Sequence, residues 1–392
     1  MIPDDALQLK EILAHYDLGE LADFERNERG YINTSFAIQT IKDGQRRLYF
    51  LRRYKAGIRE PEIRFEHSLI NHLVAMGAPP VARLYRTRDG GTYVRRFDGS
   101  DDQVGVFFAI FDFLSGEDRY TWVGPRCTPE ELHNSAVVLA QFHNAVSGFQ
   151  PQGQRGEAKI FDLLPQIAAN IAACPPRTKN TAFDACLLER GPAILHNIAA
   201  TLAVLSEPGA LALPQLVVHC DYHPGNLKFS GSQVTGLFDF DWSKVDARCF
   251  DVALALWYFC TTWDAPQDGA PSGAPDGAPF GGPGGAPSSG SDGVLRLGEV
   301  QAFLSAYQAA LQDRPGAGPL RSLEGKYLPY LINAGNLYVL NWTIEDYYHK
   351  DVDPEEYLVY LRHGLSFMDW FEANGHLDKL KAILSPLIPM ES

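Results

Sequence analysis

Between residues 217 and 242 the chain reads "VVHCDYHPGNLKFSGSQVTGLFDFDW", two apolar, strand-like pieces that carry His219, Asp221, His223, Asn226 and Asp239. A carboxylate, a neutral amide oxygen and a second carboxylate are the side chains needed to move a phosphoryl group onto a hydroxyl. Asp221 can orient the attacking hydroxyl, and Asn226 and Asp239 can offer hard oxygen ligands to magnesium, which bridges nucleotide phosphates. Two other readings use the same letters. His219, Asp221 and His223 form an H-x-D-x-H set for zinc hydrolysis, but a zinc site needs an open fourth position and a further base, and Asn226 would be left without a purpose. Pro224 and Gly225 could also simply shape a hairpin turn.

The interval from Asp221 to Asn226 matches the kinase catalytic loop H-R-D-x-x-x-x-N, and "DFD" stands where that template has D-F-G. The longer run "HCDYHPGNLKFSGSQVTGLFDFDWSKVDARCFDVA" resembles the signature of the aminoglycoside phosphotransferase and choline kinase superfamily, which includes type II homoserine kinases. The resemblance implies a two-lobed protein-kinase-like fold and phosphoryl transfer from ATP with Mg2+ to a small-molecule hydroxyl. By position it implies Asp221 as catalytic base, Asn226 and Asp239 as magnesium ligands, and His223 near the transferred phosphate. His219 takes a structural role, and Asp251 in "CFDVA" braces the loop, although N-terminal helix capping also accounts for it.

Nearer the N-terminus there is no G-x-G-x-x-G. Instead "RGYINTSFAI" resembles the family's shorter nucleotide-facing turn, with Gly30, Asn33, Thr34 and Ser35 as donors to phosphate. In "YFLRRYK" Arg52 aligns with the expected phosphate-pairing lysine; Arg53 and Lys55 are the alternatives. Arginine can hold phosphate bidentately, with a geometry unlike that of lysine. Glu66 matches the helix acid that would pair with Arg52. The family layout places the backbone of Asp112, Phe113 and Leu114 against the adenine edge.

The elements that must position these residues are legible in the pattern. "LADFERNE", "TSFAIQTI" and "RRLYFLRRY" read as antiparallel strands joined by turns. "REPEIRFEHSLINHLVAMG" has helical spacing and ends at Gly77, and "TYVRRF" and "VGVFFAIFDFL" complete the sheet. From "TPEELHNSAVVLAQFHNAV", with Thr128 and Glu131 in a capping box, helical periodicity takes over. The expected fold is therefore α+β, with a small antiparallel-sheet nucleotide lobe over residues 1–113 and a larger, mainly helical catalytic and substrate lobe over 114–392. The motif interrupts the helical half with its own pair of short strands. Residues 265–293, almost entirely Gly, Ala, Pro, Ser and Asp, bury too little apolar surface to offset their ordering entropy and are expected to be a disordered insertion.

A formal charge of −14 argues against a nucleic-acid binder, because affinity for phosphate chains needs excess Lys and Arg. It leaves open a cleft for a cationic acceptor. Acids beside aromatics in "NWTIEDYYHKDVDPEEY" suggest a place for an ammonium group. The acidic start and the lack of a long apolar run point away from secretion and the membrane and toward the cytoplasm. Six scattered cysteines are expected to be reduced and buried. A protein kinase of the same superfamily and a nucleotide-binding pseudoenzyme remain as alternatives. The acceptor and the oligomeric state are not encoded in any motif.

Overall fold

Strand β1 (Glu20–Asn27), β2 (Thr34–Lys42), β3 (Gln45–Arg53), β4 (Val94–Phe97) and β5 (Gly105–Asp112) form one antiparallel sheet in the order β1-β2-β3-β5-β4. This computed structural model describes residues 3–27, 33–97, 105–173, 179–263 and 292–388. Gly30, and residues 265–291 of the expected insertion, lie outside the described residues.

Alternation along β3 and β5 sorts the sheet into two faces. Tyr49, Leu51, Phe108 and Ile110 pack beneath helix α1 (Pro3–Leu13), whose Leu9 and Ile12 are fully buried there. Each such side chain contributes about 1.5–3 kcal/mol. Phe107, Ala109 and Phe111 face the other way, into a core shared with helix α2 (Glu60–Met76) and the helical half. Arg52 therefore points into the cleft, whereas Arg53 lies on the α1 side in a cavity with Asp5, Glu11 and Arg96. Gly77 closes α2 with φ 71°, as its sequence position predicts.

The helical half begins at α3 (Pro129–Ala145), capped by Thr128 and Glu131 as expected. It continues through α4 (Ile160–Ala173), α5 (Ala182–Leu205), the short α6 (Pro208–Leu211), α7 (Arg248–Cys260), α8 (Leu297–Leu311), α9 (Ser322–His349), α10 (Pro354–Glu372) and α11 (His376–Leu384). Every residue of α7 is buried, which suits a helix that is apolar on all sides.

The motif differs from the sequence expectation in one respect: it builds two strand pairs. Strand β7 (Leu227–Ser230) pairs with β8 (Gln233–Leu237), while β6 (Gln215–Val218) pairs with the later β9 (Lys244–Ala247). The β6–β9 pair closes the ends of the loop, a long-range pairing that no local pattern announces. The connection from β5 crosses this hairpin at Gly116 (φ 112°), where a Cβ would stand 2.3 Å from Thr235 Oγ1. Asp292 and Gly293, the last two residues of the expected insertion, lie among the described residues. Asp292 Oδ1 accepts from His363 Nδ1–H at 2.8 Å, and Gly293 N–H donates to the Thr262 carbonyl.

Candidate active site

Asp221 follows Cys220, which takes a left-handed backbone (φ 64°) immediately after β6. One buried carboxylate holds that conformation. Asp251, in the first turn of α7, accepts from the backbone N–H of His219 (2.8 Å) and of Cys220 (2.7 Å), and pairs with His143 Nε2 (3.0 Å). The brace implied for Asp251 is thus a set of direct hydrogen bonds, and the helix-capping reading is not met, since the N-cap of α7 is Ala247 with no side-chain cap. Seven residues on, two helical turns along the same face, Tyr258 OH donates to Asp221 Oδ1 at 3.1 Å. One helix face therefore fixes both the loop backbone and its central side chain. Tyr258 is absent from the sequence expectation, and its seven-residue interval from Asp251 is the signal that could have found it.

The other carboxylate oxygen, Asp221 Oδ2, accepts from Asn226 Nδ2 at 3.1 Å, and the same nitrogen donates to the Asp221 carbonyl at 2.9 Å. His223 Nδ1 accepts from the Gly225 N–H at 3.0 Å, which places the ring proton on Nε2, 3.6 Å from Asp221 Oδ2. Burial pushes the Asp221 carboxyl up, but His223, His219 and the Tyr258 hydroxyl outweigh it and hold the group below the ordinary carboxylate value. Asp221 is accordingly a carboxylate at neutral pH.

His219 takes no part in this face of the loop. Its buried ring pairs with the Phe238 carbonyl at 3.0 Å, and burial lowers its pKa. With His219 turned inward, the zinc reading fails. Among the described residues no group of three His, Cys, Asp or Glu is arranged to hold a metal ion.

Opposite the loop stands a cluster of charges. Arg52 Nη1 donates to Glu66 Oε1 (3.0 Å) and to Asp241 Oδ1 (2.8 Å), and Nη2 lies 3.7 Å from Asp239 Oδ1. Burial disfavours the guanidinium charge, and the three carboxylates more than restore it. Glu66 is 1% exposed and its pKa is raised by that burial against the pull of Arg52. The sequence pairing of Arg52 with Glu66 thus exists in space. Two members had no sequence signal: Asp241, and Arg155, whose Nη2 donates to the Phe240 carbonyl at 2.9 Å and lies 3.9 Å from Glu66 Oε2.

Asp239 sits in the left-handed region (φ 65°), and its Oδ1 has no hydrogen-bond partner among the described residues. Removal of its Oδ1 from water, then Asp241, raises its pKa to about 8, with Arg52 opposing, while the side chain as a whole is 39% exposed. Asn226 directs its nitrogen to Asp221, leaving its amide oxygen as the atom able to bind a cation. The Asp239 Oδ1, unpartnered among the described residues, and the Asn226 amide oxygen, with the Phe238 N–H bonded to the Asn226 carbonyl (3.2 Å) between them, form a hard-oxygen donor set.

The remaining expected residues are distributed along the cleft. Asn33 donates its amide to Asp241 Oδ2 and accepts from Lys55 N–H at 2.9 Å, so its side chain positions other groups. Thr34 and Ser35 open β2 opposite Arg53 and Arg52. Asp112 accepts from Tyr85 OH at 2.6 Å, Phe113 is half-exposed beside Lys228, and Leu114 packs where a Cβ on Gly236 would fall. The acid and aromatic cluster near 342–357 does not assemble into one cation site. Asp346 pairs with Lys350, Tyr347 stacks on Phe183, Tyr348 donates to Asp184, and Asp353 caps α10. Trp342 instead joins Trp122, Trp263, Tyr258 and Tyr360 in a group of rings whose Tyr258 reaches Asp221.

A five-stranded antiparallel sheet over a helical half, with an Asp–Asn loop facing an Arg–Glu pair across a cleft, defines a two-lobed phosphotransferase of the protein-kinase-like fold. Residues 23–278 match the phosphotransferase enzyme family, and the chain belongs to it. It is 26% identical to a homoserine kinase of Parvibaculum lavamentivorans over 371 residues, covering 92% of this chain and 94% of that one. It is 30% identical to a homoserine kinase of Rhizobium etli, covering 67% and 71%. Among solved structures, a microcompartment-associated aminopropanol kinase superposes with TM-score 0.62 at 16% identity, covering 97% and 99%. An amicoumacin kinase in complex with AMP-PNP, Ca2+ and Ami superposes with TM-score 0.60 at 13% identity, covering 100% and 96%. The chain is a small-molecule phosphotransferase, a kinase acting on a hydroxyl, and the protein-kinase and pseudoenzyme alternatives are not favoured. No helix among the described residues is long and apolar enough to cross a membrane.

Proposed function

We propose that the chain transfers the γ-phosphate of ATP, with Mg2+, to the hydroxyl of a small amino acid or amino alcohol of the homoserine type. The single observation that carries this is Asp221. It is held as a carboxylate by Tyr258, Asn226 and His223, and it faces an arginine-centred charge cluster across the cleft. Asp221 accepts the hydroxyl proton and aims the oxygen, while His223 Nε2–H lies beside it as a donor toward the transferred group. Arg52, kept charged by Glu66 and Asp241, supports the nucleotide phosphates, together with backbone donors of the turn at Gly30, Asn33, Thr34 and Ser35. Backbone groups from Asp112 through Phe113 to Leu114 receive the adenine. Asn226 and Asp239 would hold the divalent cation, which neutralises phosphate charge when bound.

In this reading residues 1–113 are the nucleotide lobe and 114–392 the catalytic and substrate lobe, working in the cytoplasm. A cationic acceptor finds support in the aromatic wall that begins at Tyr258 and runs through Trp122 to Trp342. The reading is tested by ADP formation from Mg2+-ATP over homoserine, aminopropanol, ethanolamine, choline, amino sugars and neutral sugars. Homoserine or an amino alcohol should be turned over, and Asp221→Asn should reduce turnover by about 10²–10⁴-fold with nucleotide affinity close to unchanged. Turnover of neutral sugars alone would sink the acceptor class, and undiminished turnover in the variant would remove Asp221 as the base.

A further inference from the structure

The turn that carries Asp239 carries a second acid two residues on. Asp241 Oδ1 accepts from Arg52 Nη1 at 2.8 Å, and its Oδ2 accepts from Asn33 Nδ2. Asn33 in turn accepts from the Lys55 N–H at 2.9 Å. One carboxylate thereby ties together β3, the residue before β2, the segment after β3 and the turn after β8.

Arginine in the lysine position creates the need for it. A lysine brings one compact ammonium, but a guanidinium brings a rigid fork of five N–H groups into a buried place. Glu66 engages Nη1, and among the described residues Nε has no hydrogen-bond partner. Nη2 stands 3.7 Å from Asp239 Oδ1, beyond hydrogen-bond range. Take Asp241 away, and Asp239 is, beside Glu66 already bound to Nη1, the carboxylate toward which Nη2 can close, to about 2.7–2.9 Å in a charge-assisted bond. That contact would occupy the oxygen that now lacks a hydrogen bond.

We propose that Asp241 is a positioning residue that holds Arg52 off Asp239 and so keeps Asp239 Oδ1 open for a divalent cation. The proposal rests on the assignment of Asp239 as a metal ligand made above. It also explains how arginine serves in a slot suited to lysine: the second acid restrains the extra donors.

The test is Mn2+ affinity, read by electron paramagnetic resonance on full-length protein saturated with AMP-PNP, for the wild type and for D239A, D241N, R52K and the R52K/D241N pair. D241N should weaken Mn2+ by about tenfold, the scale of outer-shell effects on metal sites. In the R52K background the same change should cost less than about threefold, because one ammonium has no spare fork to close on Asp239. D239A should weaken Mn2+ in either background. Unchanged affinity in D241N alongside a loss in D239A overturns the role of Asp241 and leaves the metal assignment standing. Equal losses from D241N in both backgrounds also overturn it, since a bare charge effect does not depend on the fork. Unchanged affinity in D239A removes the metal assignment and the proposal with it. Thermal melting without metal checks each fold, and D241S replaces D241N where melting shows it unfolded.

Discussion

The two walls of the cleft are held by different physics. On the loop side, Asp221 is placed by hydrogen bonds that trace back to Asp251, a fully buried carboxylate with three donors from the loop backbone and His143. On the sheet side, Arg52, Glu66, Asp241, Asp239 and Arg155 are placed by charge against charge. The first arrangement is a rigid scaffold, since each buried backbone donor has one partner and losing it costs its full desolvation. The second is adjustable: among the described residues Asp239 Oδ1 and Arg52 Nε have no hydrogen-bond partner, and an incoming polyanion or cation changes the balance. Chemistry that needs a fixed base and a reorganising phosphate site can use one wall of each kind.

The sharpest way to break this contrast is Asp251→Ala. It strands two buried N–H groups and His143 together, so stability should fall by about 3–5 kcal/mol in chemical denaturation. A loss under about 1 kcal/mol would mean the loop is held by something else.

A smaller effect separates the walls by pH. Removing the hydroxyl that stabilises the Asp221 carboxylate, in Tyr258→Phe, should raise its depressed pKa. The acid limb of turnover should therefore move to higher pH, with a several-fold loss in rate corresponding to about 1 kcal/mol. An unmoved acid limb would detach Tyr258 from the base.

On the sheet side the sign reverses. Asp239 has a folded pKa of about 8, above its unfolded value, so the native state holds a proton there that the unfolded chain releases. Its contribution is present below the unfolded pKa and is lost as pH rises toward 8. The ligand-free melting temperature should carry this downward slope between about pH 5 and 8, and Asp239→Asn should flatten it. A variant with the wild-type slope would place the proton elsewhere.

The smallest effect belongs far from both walls. The Val294 carbonyl accepts from Thr262 N–H at 2.9 Å beside an antiparallel bridge between Thr261 and Leu295, so the segments flanking residues 264–291 meet. Replacing residues 266–290 by a short Gly/Ser link should change stability by less than about 2 kcal/mol and leave turnover unaltered. Loss of folded protein would show that the segment contributes to the core.

Much of this protein is decided by local sequence. The alternation of "RRLYFLRRY", the capping box at Thr128 and the Gly77 stop specify strands and helix ends through nearest-neighbour sterics and hydrogen bonds. The interval from Asp221 to Asn226 likewise puts a carboxylate and an amide on one turn, so the reaction class was readable from letters alone. What the tertiary structure decided is everything that depends on groups far apart in the chain meeting in a place without water. Asp241 and Arg155 look like ordinary surface charges until Arg52, 189 positions from Asp241, is buried against one and Glu66 beside the other. The acids near residue 350 look like a cation site until local partners claim them. Periodicity reports which face of an element is apolar. Only packing determines which buried charge must find which partner, because that cost arises when water is excluded.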